Sequence, residues 1–494
     1  MTSDPEPAEP SRRMPTGVPG LDTVLGGGLR HGGVYLVIGP PGAGKTVLGN
    51  QICFAQAVTG ARAIYLTLLS ENHSNMLDNL EGLSFFDRRL IGDGLQYVSA
   101  YGVLEQGGLD RLLEFVRQLV QAQRPVLLAV DGLATLAEMA VSAVALKQFI
   151  NQLQIVGSLF TCSFLLFSSL DAAVGTRAEH ASVDGVIELH RVSLGLRSAR
   201  ELEIHKLRGS SHLDGRHAFV ITRDGLRIYP RLEARFRSLD IPPEQLDRRL
   251  TFGVPLLDAM LGGGLQARST TLLVGTTGSG KTLLGLRFLA SGAEQGEPGL
   301  YVGFYETAGE LRAKADSVGF GLSAHVDAGR VGMLWYPPYE TLIDALAERI
   351  FEVLEEQGVR RLFLDGLEGI EGAAVHQERV QSFMMALSNT LKERGVTTIF
   401  SAEIRDLAGP TVKIPLEGIS IVAGNIILMR QVELKGSTRH VLSVMKMRRS
   451  GYEPVIRMFS IGAQGIVMGD PIERVDAILT GTPRSVPARG RRRR

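Results

Sequence analysis

At 494 residues the chain has room for two to four domains of roughly 100 to 200 residues each, which excludes a single small module. Hydrophobic residues at 44% and charged residues at 21% exclude a chain too polar to bury a core, and a formal charge of +1 excludes capture of the whole molecule by nucleic acid or a membrane surface. Two cysteines, Cys53 and Cys162, are too few for a disulfide framework or a cysteine-rich zinc site.

In chain order, residues 1–13 are acidic and proline-rich, unlike a secretory leader, and predict a disordered tail. No apolar run approaches the roughly 18 to 20 residues of a membrane span, so the expectation is a cytoplasmic protein with no membrane partner. Residues 14–235 form a first domain that opens on Gly17-Val18-Pro19-Gly20-Leu21-Asp22 and reaches Gly26-Gly27-Gly28-Leu29. Short apolar runs follow at 34–38, 63–68, 126–130 and 164–167, separated by longer amphipathic stretches, the pattern of βαβ units around a mostly parallel sheet. Residues 236–249, with Pro242-Pro243 and charges of both signs, predict a linker. A second domain over 250–470 repeats the first. It opens on Gly253-Val254-Pro255-Leu256-Leu257-Asp258, and Gly17 to Gly253 and Lys45 to Lys281 are both steps of 236 residues. A repeat this long is a duplicated domain rather than a solenoid unit of about 20 to 50 residues. Its apolar runs, at 271–274, 299–304, 362–364 and 397–400, match those of the first copy. Residues 471–494 form a basic tail whose last twelve residues carry six arginines. Such blocks are normally solvated, and nucleic acid is not the expected partner.

After the first strand of each copy comes a glycine-rich loop: Gly39-Pro40-Pro41-Gly42-Ala43-Gly44-Lys45-Thr46 and Gly275-Thr276-Thr277-Gly278-Ser279-Gly280-Lys281-Thr282. Both satisfy GxxxxGK[ST]. Gly39, Gly42 and Gly44, with Gly275, Gly278 and Gly280, let backbone N–H groups turn around phosphates, and Lys45 and Lys281 reach the β- and γ-phosphates. The Thr46 and Thr282 hydroxyls suit Mg²⁺. Each metal needs a carboxylate from a neighbouring strand end, and Asp131 and Asp365 close apolar runs 86 and 84 residues past their lysines. Hydrolysis further needs a group to orient water at the end of the strand after the loop's helix, where Glu71 and Glu306 stand. The lone tryptophan lies in Trp335-Tyr336-Pro337-Pro338-Tyr339, a cluster expected to be covered by core or subunit packing unless it has a surface purpose.

The repeated opening motif, paired loops and acidic strand ends resemble the KaiC family of RecA-like ATPases over nearly the whole chain, the two tails excepted. The resemblance implies an α/β protein of two tandem RecA-like P-loop domains with ATP and Mg²⁺ as ligands, assembled as a homo-hexamer of stacked double rings with unidentified signalling partners. It assigns Lys206-Leu207-Arg208 and Lys446-Met447-Arg448 as the Lys-x-Arg that reaches the γ-phosphate held by a neighbouring subunit. In the family two adjacent glutamates close the catalytic strand. Here Ser70 precedes Glu71 and Tyr305 precedes Glu306, which implies slow hydrolysis. Clock members autophosphorylate a neighbouring Ser and Thr on a segment resembling 418–425, where Ser420 fits and Ile421 has no hydroxyl, so any serine autokinase activity is expected to be weak and single-sited. The expected function is an ATP-hydrolysing signalling or timing switch. The alternatives are a RecA-type DNA-dependent ATPase and a nucleotide-sensing scaffold with little turnover.

Overall fold

The computed structural model describes residues 13–68, 73–169, 182–235, 247–404, 422–434, 436–448 and 451–472, with backbone alone at 73–74, 475–476 and 484–485. The chain divides into two compact units, Met1–Arg235 and Phe236–Arg494. In the first, β1 (Val34–Ile38), β2 (Ala63–Thr67), β3 (Leu95–Ser99), β4 (Leu127–Asp131), β5 (Ser163–Ser168), β6 (Gly185–Leu194), β7 (Arg197–Leu207), β8 (Arg216–Thr222) and β9 (Gly225–Tyr229) form one sheet in the order β9-β8-β7-β6-β1-β5-β4-β2-β3. The six strands from β6 to β3 run parallel, and β6 to β9 form an antiparallel meander at the other edge.

The second unit holds β10 (Thr270–Gly275), β11 (Gly299–Gly303), β12 (Val331–Trp335), β13 (Arg361–Asp365), β14 (Thr397–Glu403), β15 (Asn425–Leu434), β16 (Ser437–Met447), β17 (Ile456–Gly462) and β18 (Gly465–Pro471). Their order, β18-β17-β16-β15-β10-β14-β13-β11-β12, is that of the first unit. The expected tandem α/β domains with mostly parallel sheets are what the chain forms. No helix among the described residues is long and apolar enough to cross a membrane.

The central strands are mostly apolar on both faces because both faces are covered. In β1, Tyr35 and Val37 enter a core with Leu48, Ile52 and Phe54 of the helix Lys45–Val58, while Val34, Leu36 and Ile38 meet Ile150 and Leu153 of the helix Ala143–Phe160. The repeated opening motif proves structural. Asp22 accepts hydrogen bonds from the Thr16 N–H at 3.0 Å and the Thr16 hydroxyl at 2.7 Å, and Asp258 accepts from the N–H groups of Phe252, Gly253 and Val254 at 2.7, 3.1 and 3.2 Å. One carboxylate thus pins each domain's opening turn. The Trp335 cluster is not in the core: Trp335 is 47% exposed and Tyr339 68%.

The units differ beneath the sheet. In the second, Arg361 is fully buried and its Nε donates to Glu297 at 2.6 Å, its Nη1 donates to the carbonyls of Thr251 and Phe288, and its guanidinium lies 4.6 Å from the Phe288 ring centre. Arg248 also pairs with Glu297. The strand registers put Leu127 where Arg361 stands, and Ala61 where Glu297 stands, so the first unit fills the same place with apolar atoms. Removing one member of a buried pair strands the other charge, at a cost of about 3 to 5 kcal/mol. Glu297→Ala is therefore expected to lower the stability of the second domain by about 3 kcal/mol or more. Denaturant unfolding followed at Trp335 checks this, and a change under about 1 kcal/mol would mean that water reaches Arg361.

Candidate functional site

Each glycine-rich loop leaves its strand beside a carbonyl of the neighbouring antiparallel-edge strand. A Cβ on Gly39 would stand 2.4 Å from the Leu189 oxygen, and one on Gly275 would stand 2.3 Å from the Met429 oxygen, so only glycine permits the turn. The chain then enters the helices Lys45–Val58 and Lys281–Glu294 through Gly44 and Gly280, with no side-chain cap. Their first N–H groups are left for an anion, favoured there by the helix dipole. Lys45 Nζ donates to the Gly39 and Pro40 carbonyls at 2.6 and 3.1 Å, and Lys281 Nζ to those of Gly275 and Thr276, both at 2.9 Å. Burial lowers the pKa of both lysines. Asp131 opposes this at Lys45, whereas Glu403, Asp365 and Glu368 all oppose it at Lys281.

The expected carboxylates sit at the strand ends. Asp131 closes β4 and Asp365 closes β13. Asp365 accepts from the hydroxyls of Thr282 at 2.8 Å, Ser401 at 2.5 Å and Tyr301 at 3.2 Å. Thr282 and Asp365, expected from the sequence to share a metal, are thus in direct contact, a hydroxyl and a carboxylate of the kind that hold a hard divalent cation. Asp131 accepts from the Tyr65 hydroxyl at 2.8 Å. Tyr65 and Tyr301 were not singled out, although they also stand 236 residues apart and share one position in their strands.

Two further acids escaped the sequence reading. Glu403 ends β14, accepts from the Thr277 hydroxyl of the loop, and donates its backbone N–H to Glu368 at 2.6 Å. By strand register Ser169 stands where Glu403 does and Phe167 where Ser401 does, while Ala134 follows Asp131 at the distance Glu368 follows Asp365. The second loop thus has Glu403 and Glu368 beside it at positions where the first copy has Ser169 and Ala134. Glu306 lies just past β11, where Lys314 Nζ donates to its two oxygens at 2.8 and 3.2 Å. Glu71 and Ser420 lie outside the described residues.

Both Lys-x-Arg motifs lie far from their own domain's loop. Lys206 pairs with Val186, which pairs with Leu36, and the Arg208 N–H donates to Asp184, whose N–H donates to Val34 at the start of β1. The second unit repeats this: Lys446 pairs with Ile426, Ile426 with Leu272, and Arg448 connects through Gly424 to Thr270. Gly39 is five residues along from Val34, about 17 Å at 3.3 Å per residue, and two strands to the side.

A sequence model of the KaiC ATPase family matches residues 14–233 and 250–473. The chain belongs to the KaiC ATPase family. It is 27% identical over 493 residues to the circadian clock oscillator protein KaiC 1 of Synechocystis sp., covering 97% of this chain and 93% of that protein. It is 25% identical over 483 residues to the circadian clock oscillator protein KaiC of Rippkaea orientalis, covering 96% and 91%, and 26% identical over 496 residues to the circadian clock protein KaiC3 of Synechocystis sp., covering 95% and 94%. Each half is a KaiC-type ATPase domain, and ATP is the ligand its family implies for the loop.

Within these domains Asp365 makes a pH signature. Burial raises its pKa, with the three hydroxyl bonds pulling the other way, so the folded protein disfavours its charged form. A carboxyl raised on folding contributes stability that is full below its unfolded value and is lost as pH rises through its folded value. Asp365→Asn is expected to flatten that fall in the thermal midpoint of the nucleotide-free protein. A wild-type profile retained in the variant would show that this carboxyl ionises as a solvated one does.

Proposed function

We propose that the chain is an ATP-driven signalling or timing switch, a homo-hexamer that binds two Mg-ATP per subunit, with each Lys-x-Arg completing the ATP site of a neighbouring subunit. The observation that supports this most is the position of Lys206, Arg208, Lys446 and Arg448, two strands to the side of the loop strand and, for the lysines and the arginines respectively, about 10 and 17 Å along the sheet from the loop of their own domain. Neither side chain reaches that far, so in this reading the cation pair repeated in both copies serves a phosphate on another subunit. Neutralising charge on the γ-phosphate by lysine, metal and a trans arginine supplies most of the catalysis in phosphoryl transfer.

In this reading Thr46 and Asp131 hold the first Mg²⁺, Thr282 and Asp365 the second, and Glu71 and Glu306 orient the attacking water. The Lys314 ion pair engages both oxygens of Glu306 and must loosen for that role, which agrees with slow turnover at the second site. Ser420, beside Ile421, is at most a weak single site for autophosphorylation. The relatives' clock names describe those proteins, and the switch assigned to this chain rests on its two unequal ATP sites.

Two disabled proteins test the shared-site geometry. One carries Lys45→Ala and Lys281→Ala; the other carries Lys206→Ala, Arg208→Ala, Lys446→Ala and Arg448→Ala. Each alone is expected to be inactive, and mixing them should restore ATP hydrolysis, because mixed rings contain interfaces with an intact loop and an intact cation pair. Hexamers that form on mixing without any recovery would overturn the trans assignment. In calorimetry the single variants Lys45→Ala and Lys281→Ala should each bind one ATP where the unaltered chain binds two. Glu306→Gln should slow hydrolysis at the second site about 10²-fold. Stimulation of hydrolysis by single-stranded DNA would instead favour a DNA-dependent motor.

A further inference from the structure

The antiparallel edge of the first domain carries a group of side chains that the nucleotide sites do not use. Glu188 and His190 lie on β6 and His205 on β7, and one ligand atom from each falls within 4.8 Å of the others. His205 Nε2 stands 2.5 Å from Glu188 Oε2, and His190 Nδ1 stands 3.6 Å from Glu188 Oε1. Ligands around a tetrahedral zinc ion, at about 2.0 to 2.1 Å each, are about 3.3 Å apart, so the trio needs shifts of under an ångström or so to close on an ion. His205 is exposed and the other two half-buried, which leaves a path for entry and a place for water as a fourth ligand.

Two features of the surroundings separate this trio from an ordinary surface ion pair. The ladder between β6 and β7 slips between Val186 and Ile187, where Val186 pairs with Lys206 and Ile187 with Ile204, so His205 is the extra residue of a β-bulge. Alternation from Glu203, which pairs with Glu188, puts His205 on the face that carries Glu188 and His190, at the kink that the extra residue makes. The second feature is the far nitrogen of His190. Nε2 is buried without a hydrogen-bond partner among the described residues, and it lies 3.3 Å from Glu203 Oε2, a carboxylate that in turn accepts from Arg216 Nε at 3.2 Å. An ion on Nδ1 fixes the proton on Nε2, from which the N–H can donate to Glu203, and a carboxylate behind a ligating histidine is the usual outer support of such sites.

The fold itself does not demand these residues. The second domain has the same bulge, between Ile426 and Ile427, but there Met445 is the extra residue, with Leu428 and Arg430 at the positions of Glu188 and His190. We propose that Glu188, His190 and His205 form a binding site for a zinc-class divalent transition-metal ion, one per chain and confined to the first domain. Two imidazoles and a carboxylate favour such an ion over Mg²⁺ or Ca²⁺, which take oxygen ligands. Cys53 and Cys162 do not compete, since both are buried.

The test uses untagged full-length protein, stripped with chelator and free of nucleotide. Equilibrium dialysis against Zn²⁺ is expected to give one ion per chain, and Co²⁺ at the same site should show the visible absorption of a tetrahedral centre with nitrogen and oxygen ligands. His205→Ala, at an exposed position that the fold does not need, should abolish the cobalt spectrum, while Glu203→Gln should weaken binding about 10- to 100-fold and keep the spectrum. Lys45→Ala with Lys281→Ala should leave both readouts unchanged, which separates this site from the phosphate loops. A stoichiometry of zero, or the same affinity and spectrum in His205→Ala and Glu188→Gln, overturns the proposal. Should Glu188→Gln fail to fold, His205→Ala decides alone.

Discussion

Everything in this molecule is arranged around one requirement: backbone N–H groups at a strand end must stay unpaired by protein so that they can meet phosphate. Orphaned donors are costly to bury, and the chain tolerates them only where a helix begins and its dipole favours an anion. Gly39 and Gly275 let the strand turn against the carbonyls of Leu189 and Met429, and Gly44 and Gly280 start the helix with no side-chain cap. Rigidity at that turn comes from outside it. The loop strand lies at the centre of nine, with both faces packed, so the turn cannot relax without opening a core.

Duplication kept that arrangement and changed what surrounds it. Strand order, loop, Asp and supporting Tyr are common to both halves, whereas the residues under and beside the loop are not. The second domain buries Arg361 and Glu297 where the first has Leu127 and Ala61, and it rings its loop with Glu368 and Glu403 where the first has Ala134 and Ser169. The first domain has its own departure, the His190 and His205 group at the meander edge. Shared geometry preserves the ability to bind a nucleotide. The differences fall on charge, which sets how strongly and under what conditions each site does so.

What the sequence showed followed from periodicity and from repetition. Apolar runs marked the central strands to within a residue or two at most ends, because a strand covered on both faces has no polar positions to blur its limits. Loop glycines and lysines, and the closing Asp131 and Asp365, were legible from spacing alone. Tyr65 and Tyr301 were not, since a tyrosine within an apolar strand reads as core until its hydroxyl partner is known. Glu368 and Glu403 were missed for a related reason: an acid just past an apolar run resembles any turn residue, and no partner in the first copy drew attention to either. Asp22 and Asp258 marked the repeat in the sequence, and what they do there, holding the opening turn, shows only in the structure. Lys206 and Arg208 could be given a role only through family resemblance, because the role proposed for them, on another subunit, would leave no trace in the spacing of their own chain.

The unequal charge around the two lysines has a consequence under the proposed reading. Lys45 faces Asp131, and Lys281 faces Asp365, Glu368 and Glu403. A nucleotide triphosphate carries several negative charges, so in this reading bringing it bare to the second loop adds repulsion from Glu368 and Glu403, where the first copy has Ala134 and Ser169. That repulsion falls when a divalent cation travels with the phosphates, since Asp365 and the Thr282 hydroxyl can then turn toward the ion instead of facing the anion. In the proposed reading the second site would therefore discriminate more sharply than the first between free and metal-complexed nucleotide. A chain with one permissive and one exacting ATP site, as proposed, could distinguish two conditions of a nucleotide pool, which two identical sites could not do.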